Sequence, residues 1–329
     1  MQLRTPRVLA VLLTLASGSI LGAQAPTPPS RFVVPAWAFP YGPAPDPNQR
    51  FDSVTKHRVP GSTRAYTMAQ AKNGFDAVDW FPHEHPSMPT PVRNGVKSAW
   101  RACGFCHLPD GRGRPENATL AGLPVDYIQA QVQAFAEKTR LAAVPATGLT
   151  SMHQIATAAL ASPSDVAIAA QYFSKLKYTR RNTIVESDSV PTTRVEFIIY
   201  ARDGTGKEPI GGRLIEVPED FERHELRDAH LAYTTYVPVG SIARGRKLAT
   251  AGPNGIATAC ATCHGPTLRG VGVVPPIAGR SPSYILRQLM NLKAGTRHDA
   301  GSVPMLAVVE TLTVDDMVAL AAYVGSRAP

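Results

Sequence analysis

Apolar positions recur at intervals of three and four along several stretches of the chain. Tyr127, Ile128, Val132 and Phe135 do so directly after Pro124, which predicts a helix opening there. Val96, Trp100 and Cys103 predict another over 93–106, and the same periodicity predicts helices over 163–176, through Ile242, Gly245 and Leu248, and over 284–292. A last helix is expected from Thr313. Asp315 and Asp316 favour its N-terminus, and Leu320 and Tyr323 recur on its inner face. Residues 179–236 read differently. The run 195–200 is β-branched and aromatic and 213–217 alternates in part, so two strands are expected, with 203–207 as the loop between them. The charged run 218–230, with Glu219, Asp220, Glu222, Arg223 and His224, reads as a solvated turn or short helix.

The two ends of the pattern fit neither class. Residues 26–92 hold 13 of the chain's 30 prolines, with Trp37 and Trp80 among them. Proline fixes φ and removes a donor, so this stretch reads as an extended arm lying on the rest, its aromatics buried. A partner-docking arm is the alternative. In 1–25, Arg4 and Arg7 precede an apolar run at 8–15 that is too short to span a bilayer, as in a secretory signal. Ala23-Gln24-Ala25 fits a cleavage site but Pro26 does not, so cleavage nearby and an uncleaved anchor both stay open.

Chemistry enters with Cys103-Gly-Phe-Cys-His107 and Cys260-Ala-Thr-Cys-His264. Two thiols at this spacing can bond the vinyl groups of a haem, and the adjacent histidine then falls on the iron. One such motif could equally be a zinc half-site or a redox pair. Here the motif and the residues downstream of it repeat at an offset of 157 residues: Cys103 and Cys260, His107 and His264, Gly122 and Gly279, Tyr127 and Tyr284, Arg140 and Arg297. A fixed offset of this kind marks duplicated units. The four cysteines are all used by the two motifs, leaving none for a disulfide. For the opposite face of each iron, the candidates are Met152 and Met305. His153 is a rival to Met152, and Met305 is expected in a loop after Pro304. Met290 and Met317 fall inside predicted helices and read as core, while His57, His83, His85 and Met88 of the arm read more simply as exposed or hydrogen-bonded side chains.

Both halves resemble class I cytochrome c domains, and the tandem is similar to the two-haem periplasmic cytochromes c. The resemblance covers roughly 93–178 and 237–329. It implies a mainly α fold, two class I cytochrome c helical domains in tandem, to which the residue pattern read above adds a Pro-rich N-terminal arm and a short β-containing insert between the domains. The organisation is then signal peptide 1–25, arm 26–92, first domain 93–178, connecting segment 179–236 and second domain 237–329. It further implies two covalently attached c-type haems on Cys103 and Cys106 and on Cys260 and Cys263, with the irons ligated by His107 and Met152 and by His264 and Met305. In such domains a loop carbonyl holds the histidine N–H, here expected near Pro124 and Pro276, and the last helix crosses the first. Leu108 departs from the glycine usual after the motif, which Gly265 keeps.

The net charge of +9 comes without a lysine-arginine run or aromatic interleaving, so nucleic acid is not expected. Steering toward an acidic redox partner or an anionic membrane surface fits better. A His/Met iron leaves no position for a substrate, and neither half carries paired carboxylates near a histidine, so no small-molecule substrate is expected. The leading reading is a periplasmic electron carrier rather than an enzyme. It would act as a shuttle or as the electron-accepting subunit of a dehydrogenase, with a dehydrogenase, oxidase or reductase as partner. The alternative is a haem enzyme, a peroxidase or sulfur-compound oxidoreductase, with an open or displaceable ligand at the first haem.

Overall fold

The computed structural model describes residues 32–43, 46, 48–96, 99–144, 147–253 and 259–329, and the expected signal at 1–25 lies outside them. The duplication predicted from the 157-residue offset is visible in the backbone. In the first half, α3 (Cys103–His107) leads through a loop to α4 (Val125–Ala136), α5 (Thr147–Ala159) and α6 (Pro163–Lys175). In the second, α8 (Ser241–Ala251) precedes α9 (Cys260–His264), with α10 (Pro282–Lys293), α11 (Val303–Glu310) and α12 (Val314–Ser326) after it. Hydrogen bonds match one for one. The Leu120 and Ala121 amides donate to the Gly111 carbonyl, as those of Ile277 and Ala278 do to Leu268, and Gly122 donates to Phe173 as Gly279 does to Val324.

The second half builds the larger core. Leu286 and Met290 of α10 meet Met317 and Leu320 of α12, all fully buried, as the spacing of three and four requires. Helix α8 crosses α12 so closely that a Cβ on Gly245 would collide with the Ala319 carbonyl. This is the expected crossing of first and last helices. In the first half the helix predicted over 93–106 does not form. A single turn, α2 (Thr90–Arg93), ends at Asn94 and Gly95, and Val96 then bridges Trp100. One other expectation shifts: Met305 lies on a helix, α11, where Pro304 takes the first-turn position proline tolerates, while Met152 lies on α5.

What the first half lacks in helix is supplied by the arm and the insert. Among its described residues the arm carries one short helix, α1 (Met68–Ala71), besides a single 3-10 turn and α2. Its Trp80 and Phe81 bury with Leu108 of the loop after α3 and with Leu226 and Ala229 of the insert. The insert holds β1 (Asn182–Glu186), β2 (Ser189–Glu196), β3 (Ile199–Pro209), β4 (Ile215–Pro218), α7 (Phe221–Glu225) and β5 (Tyr233–Val237). Strand β5 lies between β1, to which it runs parallel, and β4, to which it runs antiparallel, and β2 and β3 form a separate hairpin. The run 195–200 is the turn of that hairpin rather than one strand, with Phe197 at φ 55°, and 203–207 lies within β3. The 218–230 run also differs from its sequence reading. Asp220 caps α7, but His224, Arg227 and Asp228 are buried, because this segment packs against the first half. Toward the second half the insert offers Glu216, whose buried carboxylate accepts from Ser281 Oγ at 2.8 Å and from the Ser283 amide at 2.9 Å, at the N-terminus of α10. Among the described residues no helix is long and apolar enough to cross a membrane.

Candidate haem sites

In each half the motif folds as one short helix, which sets its first cysteine and its histidine four residues apart on one face. His107 Nδ1 donates to the Ala118 carbonyl at 2.7 Å and His264 Nδ1 donates to the Pro275 carbonyl at 2.8 Å. A proton fixed on Nδ1 leaves Nε2 with its lone pair, the form that binds a metal. Burial pushes His107 down to about 4 and lowers His264 as well, so both rings are neutral near pH 7. The carbonyl acceptors were expected near Pro124 and Pro276. In the second half the holder is the adjacent Pro275. In the first it is Ala118, six residues before Pro124, because the loop reaches the imidazole before α4 begins. Ala118 and Pro275 are again 157 apart, so carrying the offset past the motifs would have located both.

Burial raises the Cys103 thiol to about 12 and that of Cys260 to about 11. Beside the first motif lies a cleft with about 680 Å³ of free space, bordered by Cys103, Cys106, His107, Leu120, Ile128 and Met152. A larger one of about 1370 Å³ runs on from His107 and Met152 to Tyr127, Arg140 and Tyr284. Met152 borders both. His153 instead holds the Phe135 carbonyl through Nδ1 at 3.0 Å. In the second half Met305 packs against the buried core of α10 and α12, as Cys260, Ile277 and Tyr284 also do. Of the arm's spare candidates, His85 is bonded to Asp79 at 3.1 Å and to the Tyr172 hydroxyl at 3.0 Å, and His57 pairs with Glu222 at 2.9 Å.

The two halves meet at equivalent residues. Arg140 and Arg297 bridge antiparallel, flanked by the Leu141 amide to the Thr296 carbonyl and the His298 amide to the Thr139 carbonyl, both 2.8 Å. Arg140 donates to Gln131 of its own half and to Tyr284 of the other at 2.8 Å. Arg297 donates to Gln288 of its own half at 2.9 Å and to Tyr127 of the other at 3.2 Å. Both guanidinium groups are buried, and the ion pairs of the described residues give them one carboxylate, Asp299 at 3.4 Å from Arg297. An apolar cleft with a neutral imidazole, two thiols and a methionine on its walls, and a buried cation short of an anion at its far end, fits a flat apolar group bearing carboxylates.

The surroundings of the motifs differ. Phe105, Pro109, Arg114 and Glu116 are buried or half-buried in the first half, whereas their counterparts Thr262, Pro266, Val271 and Val273 are exposed in the second. The arm and insert do the covering. Tyr172 holds the Pro109 carbonyl beside His85, His224 approaches Arg114, and Arg227 lies over Phe105. The turn after the histidine is left-handed at the same two places in both halves, Leu108 and Gly111 in one, Gly265 and Leu268 in the other. Leucine and glycine have exchanged places, and each leucine is buried. Sequence reasoning flagged Leu108 as a departure but missed its partner change at 268, and it missed Arg227 altogether.

A family model described as Cytochrome c matches residues 242–328. Cytochrome c4 of Azotobacter vinelandii is 35% identical over 82 residues, covering 23% of this chain and 39% of that protein. The thiosulfate dehydrogenase electron acceptor of Stutzerimonas stutzeri (strain A1501) is 37% identical over 65 residues, 20% of this chain and 30% of that protein. The chain thus spans well under half the length of either relative. Among solved structures, a thiosulfate dehydrogenase from Marichromatium purpuratum aligns with 72% of this chain and 39% of that chain, at 25% identity and a TM-score of 0.46.

Proposed function

Residues 242–328 belong to the cytochrome c family, and from that premise we propose that the chain is a dihaem c-type cytochrome passing single electrons in the periplasm. Two class I cytochrome c domains then stand in tandem at 93–178 and 237–329, joined by 179–236 and wrapped by 26–92. Cys103 and Cys106 hold one haem and Cys260 and Cys263 the other. Haem bound there supplies a one-electron iron couple whose potential His/Met ligation raises. The chain's own residues do the rest. Ala118 and Pro275 orient the two imidazoles, Met152 and Met305 would be the second iron ligands, and the buried Arg140 and Arg297 would offer partners for the haem carboxylates.

The observation that carries this reading is the matched pair of backbone-held histidines beside the two motifs, 157 residues apart in both histidine and carbonyl. Partners are redox proteins. The name of the Stutzerimonas relative supports an acceptor role for a dehydrogenase, and the net charge of +9 supports an acidic contact face on that partner. The haem-enzyme alternative requires an open iron at the first site, and Met152 on the same cleft as His107 speaks against it. Absorption spectra of the exported protein, oxidised and reduced, with and without carbon monoxide, test the proposal. Two covalent haems, a far-red methionine band from each and no response to carbon monoxide are expected. A first haem that lacks the band and takes up carbon monoxide would overturn the carrier reading at that site.

A further inference from the structure

Arg227 stands on the insert between α7 and β5, in a left-handed conformation (φ 59°) that an arginine rarely adopts. Three anchors hold it there. Nε donates to the Ala71 carbonyl of the arm at 2.7 Å, and Nη1 donates to the Phe105 carbonyl at 2.7 Å. The guanidinium also stacks over the Phe105 ring, 3.5 Å from its centroid. The Phe105 carbonyl belongs to the peptide bond that enters Cys106, so a buried cation is fixed against the haem-attachment loop of the first half.

The charged groups around it cancel among themselves. Lys72 pairs with Glu225, and Arg114 pairs with Glu116 at 2.9 Å, while burial keeps His224 neutral beside Arg114. No carboxylate lies within ion-pair distance of Arg227 among the described residues. Its charge therefore has no direct ion-pair partner: Glu116 and Glu225 act on it only from beyond that distance, in a region where solvent screens it little. The second half has no equivalent, since the counterpart of Phe105 is Thr262, an exposed side chain.

We propose that Arg227 is a potential-setting residue: its buried charge, fixed on the carbonyl before Cys106, favours the reduced state of the first haem and leaves the second untouched. This rests on the dihaem reading above. An iron that loses one positive charge on reduction is stabilised in that form by a nearby cation, and a peptide carbonyl committed to a guanidinium withdraws electron density from the attachment loop.

The test is a spectroelectrochemical titration of the full-length exported protein, compared with Arg227→Gln, Arg227→Lys and Glu116→Gln, with covalent haem content measured first. Arg227→Gln is expected to lower one of the two midpoint potentials by an amount equal to roughly a tenfold change in the reduction equilibrium, about 59 mV for one electron, and to leave the other in place. Arg227→Lys, which keeps the charge, stays near the parent protein. Glu116→Gln, which frees the charge of Arg114, moves the same potential upward. The inference is overturned if Arg227→Gln leaves both potentials where they were, if both shift together, or if the lysine and glutamine variants behave alike. Should Arg227→Gln not accumulate with two haems, an unchanged potential in Glu116→Gln overturns it. A parent protein without covalent haem at Cys103 and Cys106 would instead refute the dihaem reading, which separates the two failures.

Discussion

Two loops built from one pattern have been given opposite surroundings. In the second half, α9 and the turn after it face solvent: Cys263, Pro266 and Thr267 are exposed, and Val271 and Val273 are 59% and 65% accessible. In the first half the same positions lie under Trp80, Phe81, Tyr172, His224 and Arg227. The backbone hydrogen bonds are nonetheless identical in pattern. The shared part is therefore what holds a histidine and two cysteines in place. The differing part decides what can reach them. Duplication supplied two equal sites, and the arm and insert made them unequal.

That inequality can be broken from the covering side. Trp80 is 3% exposed, packs edge-on to Tyr66 at 4.7 Å between ring centroids and donates to the Leu226 carbonyl at 2.8 Å. Trp80→Ala should cost about 3–5 kcal/mol. In hydrogen exchange monitored by mass spectrometry, protection should fall around 103–120 while 260–277 is unchanged. Equal loss in both halves would mean that the arm supports the whole chain rather than the first site.

The exchanged turn residues sharpen the comparison at smaller cost. Leu108→Gly removes a fully buried side chain but relieves a left-handed leucine, and the first effect wins, for a net loss of about 2 kcal/mol. Gly265→Ala introduces the strain with little burial to offset it and should cost about 1 kcal/mol. Urea unfolding of the two variants measures both. If Leu108→Gly proves stabilising, the aromatic arm does not anchor that leucine.

The covering also has a pH dependence of its own. His85 links the arm to α6. Burial opposes its charged form, but the hydrogen bond and charge of Asp79, with the Pro86 carbonyl and Asp110, outweigh it and raise its pKa. The Tyr172 hydroxyl is the remaining group against the ring. A raised pKa contributes stability that is fully present below about 6.5 and is lost as pH rises through the folded value. The thermal midpoint should therefore fall slightly between about pH 6 and pH 8, and Asp79→Asn should flatten the profile. An effect of about the size expected for Gly265→Ala belongs to the open half. Thr313 and Asp316 form a capping box at the start of α12, and Thr313→Ala should cost about 1 kcal/mol with no change around Cys103.

Much of this was legible in the sequence because two copies can be read against each other. Motifs, glycines, tyrosines and arginines at one offset marked the candidate sites, and strong periodicity placed α4, α6, α10 and α12. The misses have separate physical causes. The helix expected over 93–106 fails because α2 stops at Asn94 and Gly95, and the arm takes over its packing. The insert's charged run looked solvated because its partners, Ala71 and Phe105, lie more than a hundred residues earlier. No local pattern announces contacts of that range. The strand over 195–200 was misread because a β-branched run shows extended backbone without revealing where it reverses.

The antiparallel meeting of Arg140 with Arg297 carries a consequence for any attempt to divide the molecule. Each half presents the other with the same loop, tyrosine and glutamine it receives, which makes the seam isologous in all but covalent connection. A half severed from its sibling would retain a self-complementary edge, and its natural occupant would be another copy of itself. The insert between the halves keeps that edge satisfied within one chain by holding the sibling at high effective concentration. Cutting it would trade an internal pair for a dimer.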